Sequence, residues 1–124
     1  DMSQEHNMAS VSKHFNDVEF ACNHCGEIHP DGVNMELVAL LEKLRAHFGV
    51  PVAINSGYRC PTHNANVGGA KASQHLLGKA ADVVVKGVSP SEVYAWAHKN
   101  NPNGGVGKYN SFTHIDVRSG KARW

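Results

Sequence analysis

Residues 73–85 read SQHLLGKAADVVV, and the fold turns on how that stretch is placed. Ala80 to Val85 is a short apolar run and reads as a β-strand. Side chains alternate along a strand, so Asp82 and Val84 share one face while Ala81, Val83 and Val85 share the other. A second alternating stretch, Thr113 to Arg118 (THIDVR), turns His114, Asp116 and Arg118 one way and Ile115 and Val117 the other. Pairing of these two strands brings Asp82 and His114 to one point. His75 lies in the loop before the first strand, and Gly78 lets the backbone bend so that His75 folds back over the strand's start. The outcome is a His/Asp/His cluster on one face of a sheet.

The rest of the chain supplies a small α+β frame for that sheet. Leu37, Leu40, Leu41, Leu44 and Phe48 recur at helical spacing before Gly49, predicting a helix from about Asn34 to His47. Pro51 to Asn55 reads as a strand. Ser89-Pro90-Ser91-Glu92 starts a second helix, with Val93, Trp96 and Ala97 inward, that ends before Asn101-Pro102. Asn16-Asp17-Val18-Glu19 reads as a capping box opening a short helical turn. Ser56 to Gly69 (SGYRCPTHNANVGG) is a long shaped loop of the kind that carries function. Gly104, Gly105 and Gly107 read as a flexible turn into the last strand, and Trp124 either packs on the domain or frays. The expected fold is α+β: a small antiparallel sheet with helices on one side and the cluster in a cleft at the sheet face. Residues 1–10, polar and patternless, are expected to be disordered, and 11–124 to form one domain.

Bulk properties narrow the function. The chain has 124 residues with 41% hydrophobic and 19% charged, the range of an ordinary single globular domain. A net charge of +1 argues against a broad grip on nucleic acid. No run approaches the ~20 apolar residues of a bilayer span, and no signal peptide is visible. Nine histidines favour a metal or acid–base site. Three cysteines, Cys22, Cys25 and Cys60, cannot all pair within one chain. The Cys22-Asn23-His24-Cys25 spacing suits a zinc knuckle, a redox pair or a turn, with His24, His29 and Cys60 available to complete a four-ligand site; a local turn or labile disulfide is preferred to a second metal.

Two imidazoles and one carboxylate describe a catalytic zinc whose fourth position is open to water. Zinc lowers the pKa of such water to roughly 7 and polarises a carbonyl, so the expected chemistry is amide hydrolysis.

Ser73-x-His75-x-x-Gly78-x-Ala80-x-Asp82, followed by the His114-x-Asp116 strand, resembles the SxHxxGxAxD motif of the D-Ala-D-Ala metallopeptidases, peptidase family M15. That family includes zinc D-Ala-D-Ala carboxypeptidases, vancomycin-resistance dipeptidases and phage L-alanyl-D-glutamate endolysins, with Hedgehog domains as distant relatives. The resemblance runs from about His14 to Trp124 and is nearest the carboxypeptidase-like branch. It implies one catalytic Zn²⁺ held by His75, Asp82 and His114, a substrate-facing Arg59, and Ser73 in contact with substrate or with the ligands. It also implies a peptidoglycan stem peptide as substrate, cut as a D-Ala-D-Ala carboxypeptidase or an L-Ala-D-Glu endopeptidase does. The chain would then work at the cell envelope, secreted, or as a phage lysis protein, as a monomer without nucleic acid or membrane insertion. One position departs from the pattern: many relatives carry an acid three residues before the last zinc histidine, and here Ser111 stands there. Asp116, on the same strand face as His114, is the nearest substitute as general base; pairing with Arg118 is its other reading, and His63 is the next candidate base. The missing acid leaves a second class open, a non-catalytic zinc-bearing, Hedgehog-like module that binds cell wall or a partner.

Overall fold

Apolar alternation and helical periodicity between them generate a five-stranded sheet with its two longer helices against the core face. A computed structural model describes residues 9–124. The element order is a 3₁₀ turn (Asp17–Phe20), α1 (Met35–Phe48), β1 (Val52–Ser56), α2 (Pro61–Asn66), β2 (Ala80–Val85), α3 (Pro90–Asn100), β3 (Gly105–Lys108), β4 (Thr113–Asp116) and β5 (Ala122–Arg123). The sheet runs β1-β2-β4-β3-β5. Every pair is antiparallel except β3 with β5. Among the described residues no helix is long and apolar enough to cross a membrane. The expected disordered segment 1–10 lies outside the described residues apart from Ala9 and Ser10, and those two are tied to the domain. The Asp17 N–H donates to the Ala9 carbonyl at 2.8 Å, and Ser10 bridges Asn16.

The caps act where the sequence places them. Asn34 Oδ1 accepts from the Leu37 N–H at 3.0 Å, and Gly49 closes α1 at φ 67°. Ser89 Oγ accepts from the Glu92 N–H at 3.2 Å to start α3. Helix α1 buries Leu37, Val38, Leu40, Leu41 and Leu44, and α3 buries Val93, Trp96 and Ala97. These meet Ala81, Val83, Val85, Val106 and Ile115 from the sheet, each fully buried large side chain contributing about 1.5–3 kcal/mol. The core therefore takes one face of β2 and β4, and Asp82 and His114 are left on the other.

Glu42 of α1 clasps the N-terminal segment: it accepts from Ser12 Oγ at 2.5 Å and the His14 N–H at 2.7 Å, and meets His14 Nδ1 at 2.6 Å. Partial burial pushes its carboxyl up, but the hydrogen bonds from Ser12 and His14 outweigh it and hold the pKa at about 2. The folded value lies below the ordinary 4.5, so the stability Glu42 lends is full above about pH 4.5 and is lost as pH falls toward 2. Glu42→Ala is expected to cost about 1–2 kcal/mol at neutral pH. The same variant should flatten the acid limb of a stability–pH curve from chemical denaturation.

The glycine-rich stretch after α3 is a strand, β3, rather than the flexible turn expected. Its glycines answer to close approach. A Cβ at Gly105 would lie 2.3 Å from Asp116 Oδ2, and one at Gly107 would lie 2.5 Å from the Trp124 ring. Gly105→Ala is expected to destabilise the fold by about 1–3 kcal/mol, read from a denaturant midpoint, because the Asp116 carboxylate must move. Strand β4 ends at Asp116, two residues short of the predicted Arg118, since the Arg118 N–H turns back to Asp116 Oδ1 at 3.1 Å. Beyond it Arg123 locks β5 in place through the carbonyls of Gly104 at 2.7 Å and Asn101 at 2.9 Å.

Candidate metal centre and cleft

Strand pairing puts Asp82 directly opposite His114 and Ala80 opposite Asp116. His75 reaches the same point from the loop. Its Nε2 stands 3.2 Å from Asp82 Oδ1, and His114 Nδ1 stands 3.0 Å from the same oxygen. All three residues are buried, at 2%, 6% and 6% exposure for His75, Asp82 and His114. A register shift between Ile54 and Ser56 in β1 brings Ser56, not Asn55, opposite Asp82.

The outward nitrogens decide what the inward ones offer. His75 Nδ1 donates to the Gly57 carbonyl at 2.7 Å, so its Nε2 faces Asp82 with a lone pair. His114 Nε2 meets Asp116 Oδ2 at 2.6 Å, which leaves Nδ1 facing Asp82 in the same way. Two imidazole lone pairs and a carboxylate oxygen converging on one point require protons or a cation between them. With protons alone, burial drives the Asp82 carboxyl up, but hydrogen bonds from His114 and His75 prevail and hold it at about 2. Burial likewise lowers His114, while hydrogen bonds to Asp116 and Asp82 prevail and raise it. A metal ion bound by His75, Asp82 and His114 would take the place of those protons, and the N₂O donor set with each imidazole anchored from behind suits a divalent ion of borderline softness.

Asp116 is held on every side by protein groups. Its side chain is fully buried, and its oxygens are taken up by His114 Nε2, the Gly105 N–H at 3.0 Å, and Arg118 Nε and Nη2 at 2.9 and 2.7 Å. Burial raises its carboxyl, yet the bonds from His114 and Arg118 outweigh that and hold it well below the usual carboxylate range. The carboxylate expected as general base thus lies behind His114, on the ring's far side from Asp82. His63 is no substitute, since its ring stacks on His24 at 5.9 Å and does not line the cleft.

Above the cluster opens a cleft of about 560 Å³. Arg59 forms part of one wall, with Nε donating to Ser56 Oγ at 3.2 Å, Nη1 to Asn64 Oδ1 at 3.2 Å and Nη2 to Asp82 Oδ2 at 3.4 Å. Asn64 is itself held by the Ala70 carbonyl at 2.9 Å, and Gly69 must be glycine because a Cβ there would lie 2.1 Å from Asn64 Oδ1. Ser73 lines the cleft and accepts the His75 N–H at 3.2 Å, which fixes the turn that aims the ligand. Tyr109, Phe112 and Trp124 line it too; the Trp124 ring lies 4.9 Å from His114 and its Nε1 donates to Tyr109 Oη at 2.8 Å. The aromatic wall, Gly57 and Asn64 escaped the sequence reading. Gly107 beneath Trp124 and Gly69 beside Asn64 were the available signals.

Residues 5–116 match the sequence profile of a family described as Peptidase M15. The chain belongs to peptidase family M15. It is also similar to the zinc D-Ala-D-Ala carboxypeptidase of Streptomyces albus G, with 52% identity over 33 residues. That stretch is 27% of this chain and 13% of the relative, so the likeness is local. Within this M15 chain the buried triad at the cleft floor is the site that suits a metallopeptidase: the described residues hold one other group of metal-binding side chains, and it is made of cysteines.

Proposed function

We propose that this M15 protein is a zinc-dependent peptidase hydrolysing an amide bond in bacterial peptidoglycan stem peptides, as a D-Ala-D-Ala carboxypeptidase or an L-Ala-D-Glu endopeptidase. The observation that carries the reading is the convergence of His75 Nε2, Asp82 Oδ1 and His114 Nδ1 at a cleft floor, with each imidazole anchored through its other nitrogen. Family membership and the local likeness to a zinc D-Ala-D-Ala carboxypeptidase support it. When bound there, zinc supplies a Lewis acid for the scissile carbonyl and a water nucleophile at neutral pH.

The chain's own residues bind, orient and hold. The Gly57 carbonyl and Asp116 fix the two rings, and Asp116 does so as a carboxylate that strengthens His114 as a donor. Arg59, its guanidinium plane set by Ser56, Asn64 and Asp82, receives a substrate carboxylate or polarises a carbonyl. Ser73 holds the His75 turn and borders the bound peptide. Tyr109, Phe112 and Trp124 offer an apolar surface in the cleft for the bound peptide to pack on. Arg59→Lys keeps the charge but loses the planar fork. It is expected to lower kcat/KM by about 10- to 100-fold, the equivalent of one charge-assisted hydrogen bond, with zinc content unchanged by elemental analysis.

A second reading, a zinc-bearing module that binds cell-wall peptide without turnover, is favoured by one observation: Asp82 is the single carboxylate among the described residues lining the cleft. Incubation of zinc-loaded protein with purified stem peptides, products weighed by mass spectrometry, separates the two. Loss of a terminal D-Ala, or a cut between L-Ala and D-Glu, stopped by a chelator, supports the peptidase and names its bond. Stem peptides that bind and remain whole support the module.

A further inference from the structure

Cys60 is remote in sequence from Cys22 and Cys25, yet the three meet in space. The sulfurs of Cys22, Cys25 and Cys60 all lie within 4.8 Å of one another, and all three are free thiols. We propose that they form a second, structural zinc site, a three-thiolate cluster that clamps the N-terminal segment to the loop carrying Arg59. The proposal does not rest on the activity assigned to the cleft.

The backbone is arranged for sulfur carrying negative charge. Cys22 Sγ accepts the N–H groups of His24 and Cys60, each at 3.4 Å, and Cys60 Sγ accepts the His63 N–H at 3.4 Å. Donors aimed at sulfur favour the thiolate, the form that binds metal. The turn that brings Cys22 and Cys25 together is closed by the Gly26 N–H on the Cys22 carbonyl and the Cys22 N–H on the Glu27 carbonyl, both 2.8 Å. Gly26 makes it at φ 76°, where a side chain would be strained.

A disulfide accounts for two of these sulfurs and leaves the third without a role. Three soft donors at one point instead suit zinc, whose tetrahedral shell is completed by one further ligand. The three sulfurs converge without an imidazole among them, so the fourth ligand is a water or one of the two histidines next in sequence, His24 and His63, whose rings stack on each other at 5.9 Å. Cys25 is exposed and Cys22 buried, which gives the ion an entry route and a dry inner side. Binding releases the thiol protons and involves no electron transfer.

The clamp's position explains its use. The Tyr58 N–H donates to the Phe20 carbonyl at 2.9 Å, and a Cβ at Gly57 would lie 2.7 Å from that same carbonyl. The N-terminal segment thus lies against Gly57, which anchors His75, and Cys60 directly follows Arg59. A metal across the seam tightens both.

The test uses the full chain, purified under reducing conditions and loaded with Zn²⁺ or Co²⁺. Wild type is expected to bind two equivalents, with the near-ultraviolet sulfur-to-cobalt charge-transfer band that only thiolate ligation produces. His75→Ala should keep that band and lose one equivalent. The double variant Cys25→Ser/Cys60→Ser should lose the band and one equivalent while keeping the cleft metal. Wild-type protein that shows no such band, with all three thiols still open to a thiol reagent in the presence of zinc, overturns the proposal. So does a second equivalent that survives the double variant. The wild-type cobalt spectrum decides the matter even if the double variant fails to fold, and the His75→Ala arm keeps failure of the cleft assignment distinct from failure of this one.

Discussion

Replacing His75 with alanine is expected to abolish metal binding at the cleft and, with it, amide hydrolysis, by on the order of 10³-fold or more. The size follows from what is removed. Lewis-acid stabilisation by a bound metal is worth several kcal/mol of barrier, and two ligands on one strand pair do not hold an ion at an open position. The loss should appear as one missing zinc equivalent and a kcat/KM near background. Circular dichroism and thermal unfolding should change little beyond the loss of metal-linked stability, because the His75 ring stands at the cleft floor rather than among the side chains of α1 and α3. Added zinc at millimolar concentration should not restore activity.

The second large effect concerns Asp116, where two roles make opposite forecasts. A carboxylate that accepts a proton from water leaves the metal in place when it is removed. A carboxylate that anchors His114 takes metal affinity with it. The fully buried side chain, spanning His114, Arg118 and Gly105, supports the anchor. Asp116→Asn is therefore expected to weaken zinc binding by about 10- to 100-fold, with activity recoverable by raising free zinc. Asp116→Ala should go further and destabilise the fold by about 1–3 kcal/mol, since it leaves the buried Gly105 N–H without its acceptor, while Arg118 still reaches solvent. A competition titration against a zinc-binding dye, run on wild type and Asp116→Asn, gives the ratio directly. Unchanged affinity with lost turnover would return Asp116 to the role of base.

The convergence of His75, Asp82 and His114 was legible because strand alternation and a glycine bend are local properties that survive into the fold. Asp82 and His114 alternate with Val83 and Ile115, so burying the apolar set commits the polar set to the other face. The role of Asp116 was not legible in the same way. Spacing of two along β4 does put it beside His114, but which way its carboxylate turns depends on β3, the neighbouring strand. That strand was hidden because Gly105 and Gly107 have the composition of a turn. Only the bare backbone of Gly105 admits the carboxylate at that distance. The cysteine cluster was half legible: CxxC spacing marked Cys22 and Cys25, and Cys60 was a candidate partner, but the preferred turn or disulfide overlooked that all three sulfurs meet. Their meeting depends on how Gly57 packs on Phe20, a contact between segments far apart in the chain. The aromatic wall was illegible for a like reason, since Trp124 reaches His114 only after β5 docks beside β3.

The most direct test is metal-dependent cleavage of a peptidoglycan stem pentapeptide, followed by mass spectrometry. Wild-type protein is stripped with chelator, reloaded with zinc, and run beside His75→Ala treated identically. Cleavage that vanishes on stripping, returns with zinc in the wild type and never appears in His75→Ala is the predicted result. Cleavage that persists through stripping or in His75→Ala, or a zinc-loaded wild type that leaves every stem peptide whole, would contradict a catalytic metal held by His75, Asp82 and His114.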